Sequence, residues 1–249
     1  MWWLGRPHAT LDHMRPLKRN DPRLYDELAD QWWRPGGEFE LLHWLAAARG
    51  ALVPRSGRTD AILIDAGCGG GLLAPHVAGL GYRHIGVDLG RSGLELSKQR
   101  GMTVLGGDVT ALPLADGIAD VVVAGEILEH VTDLPATVAE LCRVLRPGGL
   151  LVLDTINATW LGRFVSITLA ERFGAAPVGI HDPELFVDPG DLTTQCAKHG
   201  VHLKVRGVRP SVPGLIRWLF LPVAARGAMI PTRSTQVLYQ GIGRKEDTQ

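Results

Sequence analysis

Short, almost unbroken apolar runs alternate along the chain with stretches whose apolar residues recur every three or four positions. Ala61–Ala66, Arg83–Asp88, Met102–Leu105, Ala119–Gly125 and Leu150–Asp154 read as strands, with helices at Leu72–Leu80, Ser92–Gln99 and Leu134–Leu145 between them. A strand apolar at every position is covered on both faces. Strands separated by helices of this length join through right-handed crossovers into a parallel sheet, so the fold class is α/β. Upstream, Leu24, Leu28 and Trp32, then Leu41, Leu42 and Leu45, predict two helices between Asp21 and Gly50, interrupted at Arg34-Pro35-Gly36-Gly37. Residues 1–55 are thus an N-terminal arm and helical cap. Downstream, Pro189–His199 reads as a helix, and Val201–Val208 and Ser234–Ile242 as strands.

In such sheets ligands sit at the carboxyl ends of the strands, and the chain's polar signals fall there. Asp65-Ala66-Gly67-Cys68-Gly69-Gly70-Gly71 follows the first strand, where glycines let the backbone approach a ligand at a helix start. Leu72 stands where a dinucleotide fingerprint needs its third glycine, which disfavours NAD. Asp88 ends the second strand, where a carboxylate can take both hydroxyls of a ribose. Asp108 follows the third strand and could face an adenine ring, although an acid there also serves as a simple cap.

These pieces, with Gly107-Asp108-Val109, Leu112-Pro113-Leu114-Ala115-Asp116 and Leu145-Arg146-Pro147-Gly148-Gly149, resemble the class I S-adenosylmethionine-dependent methyltransferases over residues 60–155. The resemblance implies a Rossmann-like, seven-stranded, mostly parallel sheet with its last strand antiparallel, and a methyltransferase domain over 56–249. The donor site expected comprises Arg49, Asp65, Gly67, Cys68, Gly69, Asp88, Leu89, Asp108, Val109 and Gly125.

Glu126-Ile127-Leu128-Glu129-His130 ends the fourth strand. On a helix, positions i, i+3 and i+4 share a face, and two carboxylates with an imidazole can hold Mg²⁺ or Zn²⁺. Acids there also complement a helix dipole, the simpler account. His181, in Gly179-Ile180-His181-Asp182, would complete a four-ligand set of Glu126, Glu129, His130 and His181. Without a metal, His130 or His181 is the candidate general base.

Gln31-Trp32-Trp33, Gly37–His43, Glu126–His130, Thr155-Ile156-Asn157 and Gly179–Asp182 together are similar to the ubiquinone-biosynthesis O-methyltransferases, the UbiG family. That resemblance implies methylation of a catechol-type hydroxyl on a prenylated ring. By position it puts Arg49, Gly67, Asp88 and Gly125 against the donor, and Glu126, Glu129 and His130 around a divalent ion. Gly125 is smaller than the family's usual residue, and 200–232, expected to shape the acceptor pocket, match poorly. Residues 156–180 are expected to form a lid. Within them Trp160–Phe173 mixes large apolar residues with Arg163 and Arg172, the composition of a lid over an apolar substrate and, secondarily, of a peripheral membrane contact.

Composition narrows the alternatives. Twenty-six basic against 26 acidic residues give zero net charge, which argues against a nucleic-acid partner, including an RNA 3′-end as 2′-O acceptor. A different small-molecule acceptor and a non-catalytic S-adenosylmethionine-binding module stay open. Cys68, Cys142 and Cys196 form no disulfide framework, no secretory signal is apparent, and Gly214–Ile230 is interrupted by Arg217, Pro222 and Arg226. The expected location is the cytoplasm, with a possible station at the inner face of the membrane.

Overall fold

The computed structural model describes residues 17–220 and 227–247; the first part of the arm and residues 221–226 of the acceptor-shaping region lie outside them. Strands β1 (Ala61–Ala66), β2 (Tyr82–Asp88), β3 (Thr103–Gly106), β4 (Ala119–Gly125), β5 (Leu145–Ile156), β6 (Val201–Pro210), β7 (Met229–Thr232) and β8 (Leu238–Lys245) form one sheet in the order β3-β2-β1-β4-β5-β8-β6-β7. The pairs among β1 to β5 are parallel, whereas β8 runs antiparallel to β5 and β6. The expected sheet is therefore present with one addition. A short strand, β7, pairs antiparallel with β6 at the edge, and the apolar run Gly214–Ile230 hid it because it divides between a helix and this strand.

Strand alternation explains the unbroken apolar runs. Ile64, Val122, Ala124, Leu151 and Leu153 point into one core, beneath Val138, Leu141, Leu192 and Cys196. Their neighbours Leu63, Val121, Val123, Leu150 and Val152 point into a second core with Leu73 and Val77. The covering helices include α1 (Arg23–Glu27), α2 (Glu40–Gly50), α3 (Ala74–Val77), α4 (Arg91–Gln99) and α5 (Leu134–Val144). Helix α3 is only four residues, shorter than the Leu72–Leu80 expected, because the turns of the glycine loop continue to Leu73.

The segment expected as a lid is a helix with an irregular middle: α6 (Trp160–Arg163), a π-helical stretch Phe164–Leu169, and α7 (Ala170–Arg172). Widened turns of this kind recur at functional sites, and Val165, Ser166 and Ala170 face the cavity described below. Helices α8 (Pro189–Lys198) and α9 (Val212–Phe220) complete the chain. Among the described residues no helix is long and apolar enough to cross a membrane. Strand order reverses between β1 and β4, and the crevice at their carboxyl ends holds the site.

Candidate active site

A cavity of about 650 Å³ opens at this crevice, and all ten expected donor-site residues line it. Gly67 has φ +72°, and a Cβ there would meet Ile127 at 2.6 Å; at Gly69, φ +49°, it would run into the Trp32 ring. The glycine loop is thus demanded by packing as well as by a ligand. Trp33 adds a hydrogen bond from its indole nitrogen to the Gly70 carbonyl at 2.8 Å. Asp88 accepts from the Gly69 and Gly90 amides, both at 2.8 Å, which fixes its carboxylate in the wall. Asp108 accepts from the Thr110 amide and hydroxyl, both at 2.8 Å, so it caps its own turn while bordering the cavity. Cys68 is a packing residue: burial pushes its thiol well above the usual range, away from thiolate reactivity.

Arg49, in the last turn of α2, reaches the same wall. It is 7% exposed and bonds Asp154, which is fully buried at the end of β5, at 2.5 Å. Its guanidinium fills the space beside Gly125, where any Cβ would collide with it. The small residue at 125 therefore makes room for an arginine. Spacing alone could not have shown this, because Asp154 gave no signal beyond ending a strand.

The acidic motif does not enter an α-helix. Glu126 takes φ +51°, its amide bonds the Asp154 carbonyl at 3.0 Å, and only a 3₁₀ turn, Leu128–His130, follows. A non-glycine residue in the left-handed region is strained, and such strain concentrates at functional sites. The helical-face geometry is corrected accordingly. Ligand atoms of Glu129, His130 and His181 lie within 4.8 Å of one another, while Glu126 stands outside that cluster. The His130 and His181 rings stack at 5.2 Å. Glu129 is fully buried behind the cavity wall and accepts from the Thr155 hydroxyl at 2.6 Å.

Burial dominates the protonation of this cluster. It drives Glu126 well above the ordinary carboxylate range, reinforced by Glu129 and Asp154, and raises Glu129 to about 7 against the hydrogen bond from Thr155. It lowers His130 well below the usual imidazole value and His181 to about 4, so both rings are neutral. Neutral imidazoles are the state a metal needs, whereas the buried acid would have to release its proton to bind one. Buried oxygens of Glu126 and Glu129 and the Nδ1 of His181 have no hydrogen-bond partner. One carboxylate and two imidazoles, with an unpartnered atom on Glu129 and on His181, fit a divalent ion of the Zn²⁺ type better than an all-oxygen Mg²⁺ site.

Sequence reading missed the strap that closes over the cluster. Arg19 clamps Glu171 at 2.7 and 2.9 Å and the His181 carbonyl at 2.9 Å. Asn20 and Tyr25 both bond His130. Their only signal was an Asn-Asp-Pro turn ahead of the first helix. Beyond the strap the cavity is apolar, walled by residues including Leu42, Leu45, Ile156, Val165, Met229 and Leu238.

A family profile described as "Methyltransferase domain" matches residues 64–153. A solved S-adenosylmethionine-dependent methyltransferase from Thermotoga maritima superposes with TM-score 0.61 at 20% identity, covering 90% of this chain and 97% of that one. The [4+2]-cyclase SpnF also superposes, with TM-score 0.52 and 17% identity over 84% and 82% of the chains, so this fold alone does not fix a reaction. Fold, glycine loop and profile together define a class I S-adenosylmethionine-dependent methyltransferase. The ubiquinone biosynthesis O-methyltransferase of Colwellia psychrerythraea is 32% identical over 210 residues, 75% of this chain and 85% of the relative. That of Cupriavidus pinatubonensis is 35% identical over 202 residues, 76% and 81%. The chain belongs to the ubiquinone biosynthesis O-methyltransferase family, and it is an enzyme that takes its methyl group from S-adenosylmethionine.

Proposed function

We propose that this enzyme methylates a phenolic or catechol hydroxyl on a ring with an apolar substituent, of the kind ubiquinone biosynthesis requires, with help from a divalent metal. One observation carries the proposal. His130 and His181, which cluster with the buried Glu129, line the same cavity as the donor-site residues and the apolar wall. Asp88 would take the donor's ribose hydroxyls, and Arg49 its carboxylate. The apolar wall holds the ring's substituent and excludes water, so that the acceptor oxygen lines up with the donor methyl. That oxygen attacks the methyl carbon, the carbon–sulfur bond breaks, and its electrons return to sulfur as the neutral thioether. A divalent ion held by Glu129, His130 and His181 would supply Lewis acidity that favours the ionised acceptor. In a metal-free reaction His130 or His181 would take the acceptor's proton, although their lowered basicity makes them poor bases near neutrality.

The test is methyl transfer from labelled S-adenosylmethionine to 3,4-dihydroxybenzoate and to an alkylated catechol, with Zn²⁺ or Mg²⁺ and again with EDTA. Transfer that EDTA abolishes and either ion restores supports the full proposal. Transfer that survives EDTA removes the metal, and none to either catechol removes the acceptor class.

A peripheral membrane contact fits the same acceptor. The lid exposes Trp160 at 75%, Phe173 at 60% and Val178 at 74% beside exposed Arg163 and Arg172. The neutral total also hides an uneven distribution: from Leu192 to Lys245 there are nine lysines and arginines and no acid. On α9, within that stretch, Val212, Ile216 and Phe220 are exposed four residues apart beside exposed Arg217. Apolar side chains among cations suit an anionic bilayer surface.

A further inference from the structure

Asn20 makes a paired contact with one residue across 110 positions of sequence. Its side-chain nitrogen donates to the main-chain carbonyl of His130 at 2.9 Å, and its side-chain oxygen lies 2.6 Å from His130 Nδ1. A carbonyl can only accept, so the amide nitrogen of Asn20 must face it. The amide oxygen then faces Nδ1, and Nδ1 must carry the ring proton. In the neutral form of the ring, Nε2 is then the nitrogen left with a lone pair. The Tyr25 hydroxyl, 3.0 Å from Nε2, is consequently a donor. Every hydrogen bond in this chain has a single permitted direction.

Asn20 is itself held in place. Its φ is +61°, a left-handed conformation that asparagine tolerates better than most residues. Its amide donates to the Gly179 carbonyl at 2.9 Å, and its neighbour Arg19 grips Glu171 and the His181 carbonyl. The strap thus fastens at once to the lid, to the His181 loop and to the acidic motif.

We propose that Asn20 is a positioning residue that presets His130 as the Nδ1–H tautomer, leaving on Nε2 a lone pair that accepts from Tyr25 until an ion or an acceptor proton displaces that hydroxyl. This rests on His130 acting through Nε2, as ligand or as base, in the function proposed above. An acceptor on the far nitrogen of a working histidine, fixing ring and tautomer, is the general arrangement in both metal sites and acid–base pairs. Here a strap residue outside the sheet supplies it.

The experiment compares the wild-type enzyme with Asn20→Gly, which keeps the left-handed backbone without strain, and Asn20→Asp, which keeps an acceptor for Nδ1–H. The readouts are long-range ¹H–¹⁵N spectra of the His130 ring, S-adenosylhomocysteine affinity, and kcat and KM for the catechol. Wild type should show Nδ1–H. Asn20→Gly should lose the single tautomer and drop kcat by about 10–100-fold, the usual cost of removing such an orienting group, with homocysteine-product affinity unchanged. Asn20→Asp should restore the tautomer and most of kcat. An Nε2–H ring in wild type, or an Asn20→Gly ring still wholly Nδ1–H, overturns the proposal. So does Asn20→Gly turnover within twofold of wild type. If no catechol is methylated even by wild type, the function falls, whereas the ring spectra still decide the role of Asn20.

Discussion

Replacing Gly125 by alanine adds a single methyl group at the end of β4, yet it should disturb both stability and donor binding. The new Cβ would occupy the space of the Arg49 guanidinium, which must swing away and release Asp154. Asp154 has no exposure, and removing one partner of a buried ion pair costs about 3–5 kcal/mol, because the remaining charge is left in a medium that solvates it poorly. At roughly 2–4 °C per kcal/mol for a chain of this size, Tm should fall by about 6–20 °C. Protonation of Asp154 caps the loss, since burial already raises its pKa even with Arg49 in place. An acid with a raised folded-state pKa binds more protons folded than unfolded, so stability falls as pH rises from the ordinary carboxylate value through the raised one. The deficit should therefore be smaller at pH 5 than at pH 8. If Arg49 also holds the donor's carboxylate, losing a charged hydrogen bond worth about 1.5–3 kcal/mol weakens S-adenosylhomocysteine by roughly 10–150-fold. 5′-Methylthioadenosine, which lacks the amino-acid tail, should bind as before. Scanning fluorimetry at the two pH values and calorimetry with the two nucleosides make the measurement. A Tm within 1 °C of wild type, or equal weakening of both nucleosides, would refute the Arg49–Gly125 relation.

In protein stripped of divalent ions, Glu129→Gln should raise Tm, and more at pH 8 than at pH 5. Glu129 at about 7 makes the folded state less favourable as pH climbs from about 4.5 through 7; an equal gain at both values would reject a buried, titrating acid. The double change Glu126→Gln with Glu129→Gln should abolish catechol methylation while leaving S-adenosylhomocysteine affinity within about threefold; retained turnover would count against the metal. Trp160→Ser with Phe173→Ser should reduce co-sedimentation with phosphatidylglycerol vesicles by more than half, with no binding to phosphatidylcholine in either protein. Binding to both lipids alike, or to neither, removes the anionic surface, and tight binding to RNA instead would reassign the basic stretch.

The strands and the donor half of the site were legible because each is set by neighbours in sequence. The apolar run Ala119–Gly125 can only be a covered strand, and it ends as expected. The loop Gly67–Gly71 and the strand-end acids Asp65 and Asp88 are placed by the strands that precede them. What escaped depends on partners distant in sequence. Glu126 leaves helical geometry because its amide is taken by the Asp154 carbonyl of the adjacent strand, a pairing no spacing within Glu126–His130 could reveal. The space beside Gly125 is taken by an arginine from α2, a partner far away in sequence. Asn20 and Tyr25 precede a five-residue helix of ordinary composition, and only the folded chain brings them to His130.

The strap also orders events in time. Residues 64–153, the span matched by the family profile, contain the glycine loop, Asp88 and the Glu126–His130 turn, and these can assemble on one another as the chain emerges. Arg19 and Asn20 are made earlier still, but Glu171 and His181 follow Arg19 by 152 and 162 positions. The donor side can thus form while the acceptor side is open, and the clasp comes late. Contacts of such sequence separation close slowly and are held by few bonds at a half-exposed edge. Gradual heating or mild denaturant should accordingly release the lid and strap as one unit, leaving a protein that still binds its nucleotide and has lost its grip on the ring. Hydrogen exchange would show this as early, shared deprotection of the segments around 19–25 and 171–181.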